Sequence, residues 1–484
     1  MRGNLREKYI KMPLPAKASI WFVICSVVQK GIAFLTTPIF TRLLTTDEYG
    51  MVSIFNSWHS ILTMVLTLQL SSGVFYNAMV KYEKERDAYT SSMLFLTSCL
   101  TVIGYIIYFP FRKPINAFLG MDTWLTSAVF MEIFFSEAIS FWSIRHRFEY
   151  EYKTVIGYTL LSSVLGTAVS LVLVVLMPEH RVYAKVGGTL IVHIAIYTLL
   201  YLKIMKRGKK LVWFSAWKYA LGYNIPLIPH YLSHQVLGQA DRIMIKSICG
   251  NAYTAMYTVA YQISMVLNIV TNAICNSFTP WAYMKLKEKD GKDIGNLTLI
   301  IEIVTGLVCF FFTLFGPEFI YIMGGDAYKE AIWVVPPVCM SILYIMMYSL
   351  ISTVTFYYEK TKKIAICSCA AAITNLILNA LFIPIFGMAA AGYTTLVCYA
   401  LFCGMHSYLV KKICKEENIE NPFKMKTMWI ISIIFVLMSI FCEIVYSYTI
   451  LRYMLIVIIS IIISALVLKY KEKIKVYIKN SNKT

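Results

Sequence analysis

Lys30 stands in the middle of a long apolar run, beside Gln29. An ammonium at the centre of a membrane-spanning helix costs about 2.5–3.5 kcal/mol on insertion scales, so its presence needs a reason. One reason is structural: it snorkels, or it pairs with Glu132 or Glu137 of another apolar run. The other is functional: it lines a water-filled cavity and meets an anionic ligand. Further along, Pro226-Leu227-Ile228-Pro229-His230-Tyr231-Leu232-Ser233-His234 places two imidazoles four apart, on one helical face. A bland hydrogen-bonded pair and a partly cationic cavity wall weigh evenly there. A metal site is disfavoured because no third ligand is near.

Asp241 and Arg242 end the same segment and read as an interfacial pair; Arg242 could also border an anionic ligand. Asn268, Asn272 and Asn276 form an i, i+4, i+8 stripe, and Asn375 and Asn379 repeat the spacing. Such amides either tie helices together or line a path for a polar cargo.

The elements that must carry these residues are membrane helices. Of 484 residues 58% are hydrophobic and 15% charged, against about 45–50% apolar and 25% charged in soluble domains. A span needs about 20 mostly apolar residues. Fourteen such runs are predicted, near 18–40, 50–79, 90–110, 115–143, 154–177, 184–205, 219–240, 252–279, 296–323, 331–356, 364–384, 388–410, 427–447 and 453–468. The fold class is therefore an all-α integral membrane protein. The basic N-terminus lacks a cleavage site and reads as the cytoplasmic flank of a first span.

Charge tests the count. Thirty-five of the 45 Lys and Arg fall in the two termini and every second loop, nine in the alternate loops, and Lys30 within a span. This alternation predicts an even number of spans with both termini cytoplasmic. It also assigns the net charge of +19 to the lipid surface rather than to nucleic acid. No connecting segment has room for a soluble catalytic domain.

A weak internal repeat runs through the chain. Residues 183–207 match 388–412, with Ala184 on Ala389, Gly187 on Gly392 and Thr189 on Thr394. Arg42 matches Arg242, and Lys30 matches His230. Two six-helix lobes, 1–212 and 213–412, related by an axis along the membrane normal, are the expectation, with two extra helices and a basic tail in 413–484. Arg42 and Asp241 then have shared structural roles. The twelve cysteines are scattered, with no zinc spacing. Phosphate-binding loops, nucleophile elbows and metalloprotease motifs are missing from the sequence, which disfavours a pump driven by ATP or an enzyme.

Three stretches carry a resemblance. They are residues 31–58, residues 225–262 through Asp241-Arg242 to Tyr257-Thr258-Val259-Ala260-Tyr261-Gln262, and residues 375–396 with Asn379, Pro384, Gly387 and Gly392. Together the chain resembles the polysaccharide (O-antigen or capsule repeat-unit) flippases of the multidrug/oligosaccharidyl-lipid/polysaccharide exporter superfamily. The resemblance implies an oligosaccharide on undecaprenyl diphosphate, turned from inner to outer leaflet of a bacterial cytoplasmic membrane by alternating access. It implies no cofactor, leaves proton or sodium coupling open, and leaves a polysaccharide polymerase and a chain-length protein open as partners beside membrane lipids. Lys30, His230, His234, Arg242, Asn268 and Asn272 would line the cavity.

Two rivals stand beside it. A drug/cation antiporter of the same superfamily needs an acidic site, and Glu132, Glu137 and Glu302 are the acids well inside spans. A membrane-embedded polymerase or ligase needs a large outer loop, which the sequence lacks.

Overall fold

The computed structural model describes residues 12–288 and 292–481. Arg2, Arg6, Lys8, Lys11, Lys289 and Lys483 of the basic flanks lie outside them. In chain order the helices are α1 (Leu14–Leu43), α2 (Thr46–Thr67), α3 (Val74–Lys81), α4 (Arg86–Tyr108), α5 (Arg112–Leu119), α6 (Thr123–Phe148), α7 (Tyr152–Leu176), α8 (Arg181–Gly208) and α9 (Phe214–Asn224). They continue as α10 (Ile228–Cys249), α11 (Asn251–Lys287), α12 (Lys292–Leu314), α13 (Gly316–Gly324), α14 (Val335–Tyr357), α15 (Thr361–Phe386), α16 (Met388–Glu416), α17 (Met425–Val445) and α18 (Thr449–Ser481). No strand occurs among the described residues.

Every predicted span falls on helix. Eleven helical segments among the described residues are long and apolar enough to cross a membrane, and the protein is a multi-pass membrane protein. α2, whose polar residues include Asn56, Ser57, His59 and Ser60, and the α9–α10 pair do not meet that test, and only the shorter stretch Thr449–Ala465 of α18 is apolar.

Four boundaries differ from the sequence reading, each for a local reason. The run 50–79 is two helices, because Leu68, Gln69 and Gly73 take positive φ and break the ladder. The run 115–143 divides at Gly120, also left-handed, and α6 starts afresh where the Asp122 carboxylate accepts from Leu125 N at 2.8 Å. The run 296–323 divides at Phe315, with Pro317 in the first turn of α13. The fourth concerns Asp241 and Arg242, which do not end a helix: α10 runs on to Cys249.

The chain forms two compact units, Met1–Gln235 and Val236–Thr484. In the first, α3, α4, α6 and α8 meet in a core that includes Phe75, Tyr89, Phe141 and Leu200. α7 and α8 approach closely at Gly188, where a Cβ would stand 2.6 Å from Ser170 Cα. The adjoining hydroxyls of Ser170 and Thr189 lie 2.9 Å apart, the small-residue and hydroxyl packing that joins helices in lipid.

In the second unit the most enclosed helix is α14, packed by α11, α12, α16 and α17. Residues after 412 belong to this unit. α17 is tied in by Ser432 Oγ donating to Glu302 Oε1 at 2.8 Å. α18 is tied in by Arg452, whose Nη1 and Nη2 donate to the two Glu318 oxygens at 2.6 Å each.

Candidate functional site

Lys30 sits midway along α1 with an exposed side chain. Neither proposed acidic partner holds it. Glu132 of α6 lies instead 2.5 Å from His193 Nδ1 of α8. Glu137 is buried, with its Oε2 unpaired. Among the described residues no ion pair engages Lys30, while its neighbour Gln29 donates to Ser163 Oγ of α7 at 3.2 Å. Its ammonium is thus exposed and without an ion partner among the described residues.

The first unit also holds two interrupted helices that compensate each other. Pro226 and Pro229 split α9 from α10 with a single 3-10 turn between them, as proline must when it removes a donor and crowds the preceding turn. The chain ahead of that turn supplies Asn224, fully buried, whose Nδ2 donates to Leu68 O at 3.1 Å and Gln69 O at 2.8 Å. Those are carbonyls at the break between α2 and α3. Non-helical backbone at membrane depth survives where such partners satisfy it. Gly73 closes the same corner: its φ is +54°, and a Cβ there would stand 2.9 Å from Tyr231 Oη. His230 is half-buried against the Tyr231 ring and His234 is exposed one turn on. No ion pair or hydrogen bond joins either to Lys30 among the described residues.

The second unit has a different polar centre. Asp241 is 2% exposed. Its carboxylate accepts from Tyr257 Oη of α11 at 2.5 Å, Asn379 Nδ2 of α15 at 2.7 Å and Thr395 Oγ1 of α16 at 2.7 Å. Asn379 also donates to Asn375 Oδ1 at 3.2 Å, Asn375 donates to Thr395 Oγ1 at 3.2 Å, and Thr394 donates to Asn379 Oδ1. Four helices therefore converge on one carboxylate. Arg242 turns away from it: the guanidinium donates to Gly238 O at 2.8 Å and lies 4.7 Å from the Tyr261 ring centre. The Asp241 carboxylate is thus met by two hydroxyls and one amide N–H, a buried acceptor with its hydrogen bonds filled.

The remaining predicted residues are not drawn into this centre. Asn268 is half-buried and Asn272 and Asn276 are exposed, and among the described residues no side-chain hydrogen bond links them to Asp241. Arg42 is exposed on α1, with Nη1 donating to Pro38 O at 2.8 Å. The sequence reading missed Asn224, Tyr257, Thr395 and His193. Signals for the first and last existed: Ser71-Ser72-Gly73 marked a break that needed a partner, and His193 lies deep in an apolar run.

Comparison with known proteins follows the same lines. The family model described as "Polysaccharide biosynthesis protein" matches residues 39–333. A Haemophilus influenzae protein called "Lsg locus putative protein 1" is 24% identical over 372 residues, 73% of this chain and 87% of its own. An uncharacterized membrane protein of the same organism is 23% identical over 366 residues, 73% and 86%. Among solved structures, lipid II flippase MurJ in an inward closed conformation is similar with a TM-score of 0.68 at 14% identity, covering 94% of this chain and 100% of that one. An inward-facing multidrug resistance MATE family transporter of the MOP superfamily follows at 0.59 and 15%, covering 80% and 96%. The fold is thus that of these membrane transporters.

Proposed function

The chain belongs to the polysaccharide biosynthesis protein family, and from that premise we propose that it moves a lipid-linked oligosaccharide across the membrane rather than building one. The cargo is a repeat unit on undecaprenyl diphosphate, carried from the inner to the outer leaflet of a bacterial cytoplasmic membrane whose cytoplasmic side holds both chain termini. Lobes 1–212 and 213–412 carry out the alternation between inward and outward access. One structure that shares the fold is a lipid II flippase, which supports this reading.

The observation that carries it is Lys30: a cation well inside a span, exposed, with no ion pair among the described residues. A diphosphate supplies the missing anions, and charge-assisted hydrogen bonds to it are shorter and stronger than neutral ones. Sugars and phosphates cannot cross hydrocarbon unaided, because each unsatisfied polar group costs several kcal/mol. His230, His234, Asn268 and Asn272 are the further polar side chains assigned to the cargo, while Arg242, buried beside Tyr261, supports its own helix. Proton or sodium coupling drives the cycle, and the Glu132–His193 pair is suited to a proton. A polymerase and a chain-length protein receive the product.

Complementation tests the proposal. In a strain lacking a flippase of known repeat unit, the wild-type chain should restore surface polysaccharide. Lys30→Ala and Lys30→Glu should not, at unchanged protein level, and Lys30→Arg should keep part of the activity because guanidinium also binds phosphate. Full export by Lys30→Ala at normal expression would overturn the assignment.

A further inference from the structure

A lateral groove of about 770 Å³ opens on the second unit, bounded by α15, α16 and the start of α17. Its walls are Ile366, Val397, Leu401, Tyr408 and Trp429, and its end carries Lys363 and Lys412. The walls are apolar yet uncovered: Ile366 is 69% and Tyr408 71% exposed. Small residues make the floor. Gly404 lies there with Trp429 against it, a Cβ at that position being 3.7 Å from the indole. None of these residues belongs to the transport site described above.

Charge and length together identify an occupant. The two lysines sit where α16 enters its basic end, Lys411-Lys412 with Lys415. Lys363 is shared with Glu416 at 3.2 Å, whereas no ion pair engages Lys412 among the described residues. Along α16 the groove runs from Val397 to Lys412, which at 1.5 Å per residue is roughly 22 Å. One leaflet is about 15 Å of hydrocarbon, half of the roughly 30 Å core. The groove therefore matches an acyl chain of one leaflet plus the headgroup above it, with apolar wall along the chain and ammonium groups at the phosphate. It is too short for a polyprenyl tail laid along it.

We propose that this groove is a binding site for an anionic phospholipid of the leaflet that faces the basic loops, with the phosphate on Lys412 and Lys363 and one acyl chain against Leu401 and Trp429. Glu416 tempers the site by holding Lys363. The site is separate from the cargo path, so it stands whatever the transported molecule is.

The full chain, purified in a neutral detergent, is titrated with phosphatidylglycerol or phosphatidylcholine and followed by thermal midpoint and native mass spectrometry. Phosphatidylglycerol should bind and raise the midpoint, and phosphatidylcholine should do neither. Lys412→Gln and Lys363→Gln should each weaken binding about fivefold, the effect of one basic residue at an anionic surface. Glu416→Gln should strengthen it. Ala400→Phe, which fills the groove without touching charge, should abolish bound lipid in the mass spectrum. Inorganic phosphate at equal concentration should have no effect, since the acyl chain supplies most of the contact. Equal binding of both lipids, or binding unchanged in both Lys412→Gln and Ala400→Phe, would overturn the proposal. So would displacement of the phosphatidylglycerol by equimolar undecaprenyl phosphate, which would make the groove a tail site for polyprenyl lipids.

Discussion

The polar centres of the two units differ in what they leave unsatisfied. In the second unit Asp241 is enclosed, and three donors from three other helices converge on it. In the first, Glu132 and His193 form one pair with side chains 12% and 17% exposed, and Lys30 has an exposed head without an ion partner among the described residues. A buried polar network that is fully satisfied rigidifies and specifies a structure, whereas an unsatisfied charge invites a ligand. The second centre therefore reads as the anchor of its unit, whereas the first keeps a cation without an ion partner among the described residues. The paired arginines make the same point in miniature. Arg42 and Arg242 both donate to the carbonyl four residues back at 2.8 Å, but Arg242 is buried under tyrosines and Arg42 is exposed.

The largest expected effect is at Asp241. Asp241→Leu strands the Tyr257, Asn379 and Thr395 donors at about 1–3 kcal/mol each, so folded protein should fall to near nothing in detergent extracts. Asp241→Asn keeps one acceptor and should fold with a lowered thermal midpoint. A normal midpoint for Asp241→Leu would make the second centre dispensable and erase the contrast between the units.

Lys30 should show the opposite pattern. Lys30→Ala should leave stability within about 0.5 kcal/mol of wild type, as for surface changes that break no contact, while export is lost. A lower midpoint in Lys30→Ala would mean that a structural partner exists after all. The Glu132–His193 pair should fall between the two. Glu132→Gln and His193→Gln should each destabilise, and the double variant should cost less than their sum by about 0.5–3 kcal/mol, the coupling of residues in contact. Strict additivity in thermal denaturation would show that the pair contributes nothing.

Much of this was legible in the sequence because lipid imposes strong rules. Apolar runs marked where helix falls, though not where Gly73, Gly120 or Phe315 divides a run into two helices, and the odd cation in one of them marked Lys30. The sequence also marked the Pro226/Pro229 break, since proline acts on its own helix. What it did not show were partners far along the chain. Asn224 reaches back 156 residues to Leu68 O, and Asp241 reaches forward 154 to Thr395. No local pattern encodes such pairs. Asp241 and Arg242 read as an interfacial pair because adjacent opposite charges suggest a surface. On a helix they point to different faces, so one met a carboxylate's donors and the other met tyrosine rings.

The smallest expected effect lies outside the spans, at the polar contact that fixes α18 to the second unit. Burial raises the Glu318 carboxyl, but the hydrogen bonds from Arg452 and Tyr453 and the Arg452 charge outweigh it and leave it below the ordinary glutamate range. A carboxyl whose folded pKa lies below its unfolded one contributes stability that is complete above the unfolded value and disappears as pH falls through the folded one. Stability measured from pH 7 downward should thus be flat to the ordinary carboxylate range and then decline. Glu318 is 22% exposed, so solvent screens the pair and the decline is modest. Glu318→Gln should lower the midpoint at pH 7 and remove this part of the acid slope, so that the two curves converge at low pH. Arg452 is 5% exposed and also donates to Leu314 O at 3.2 Å, so Arg452→Gln should cost more than Glu318→Gln. Parallel acid slopes in wild type and Glu318→Gln would show that this carboxylate does not hold the last helix, and that α18 stays with the second unit through its apolar face alone.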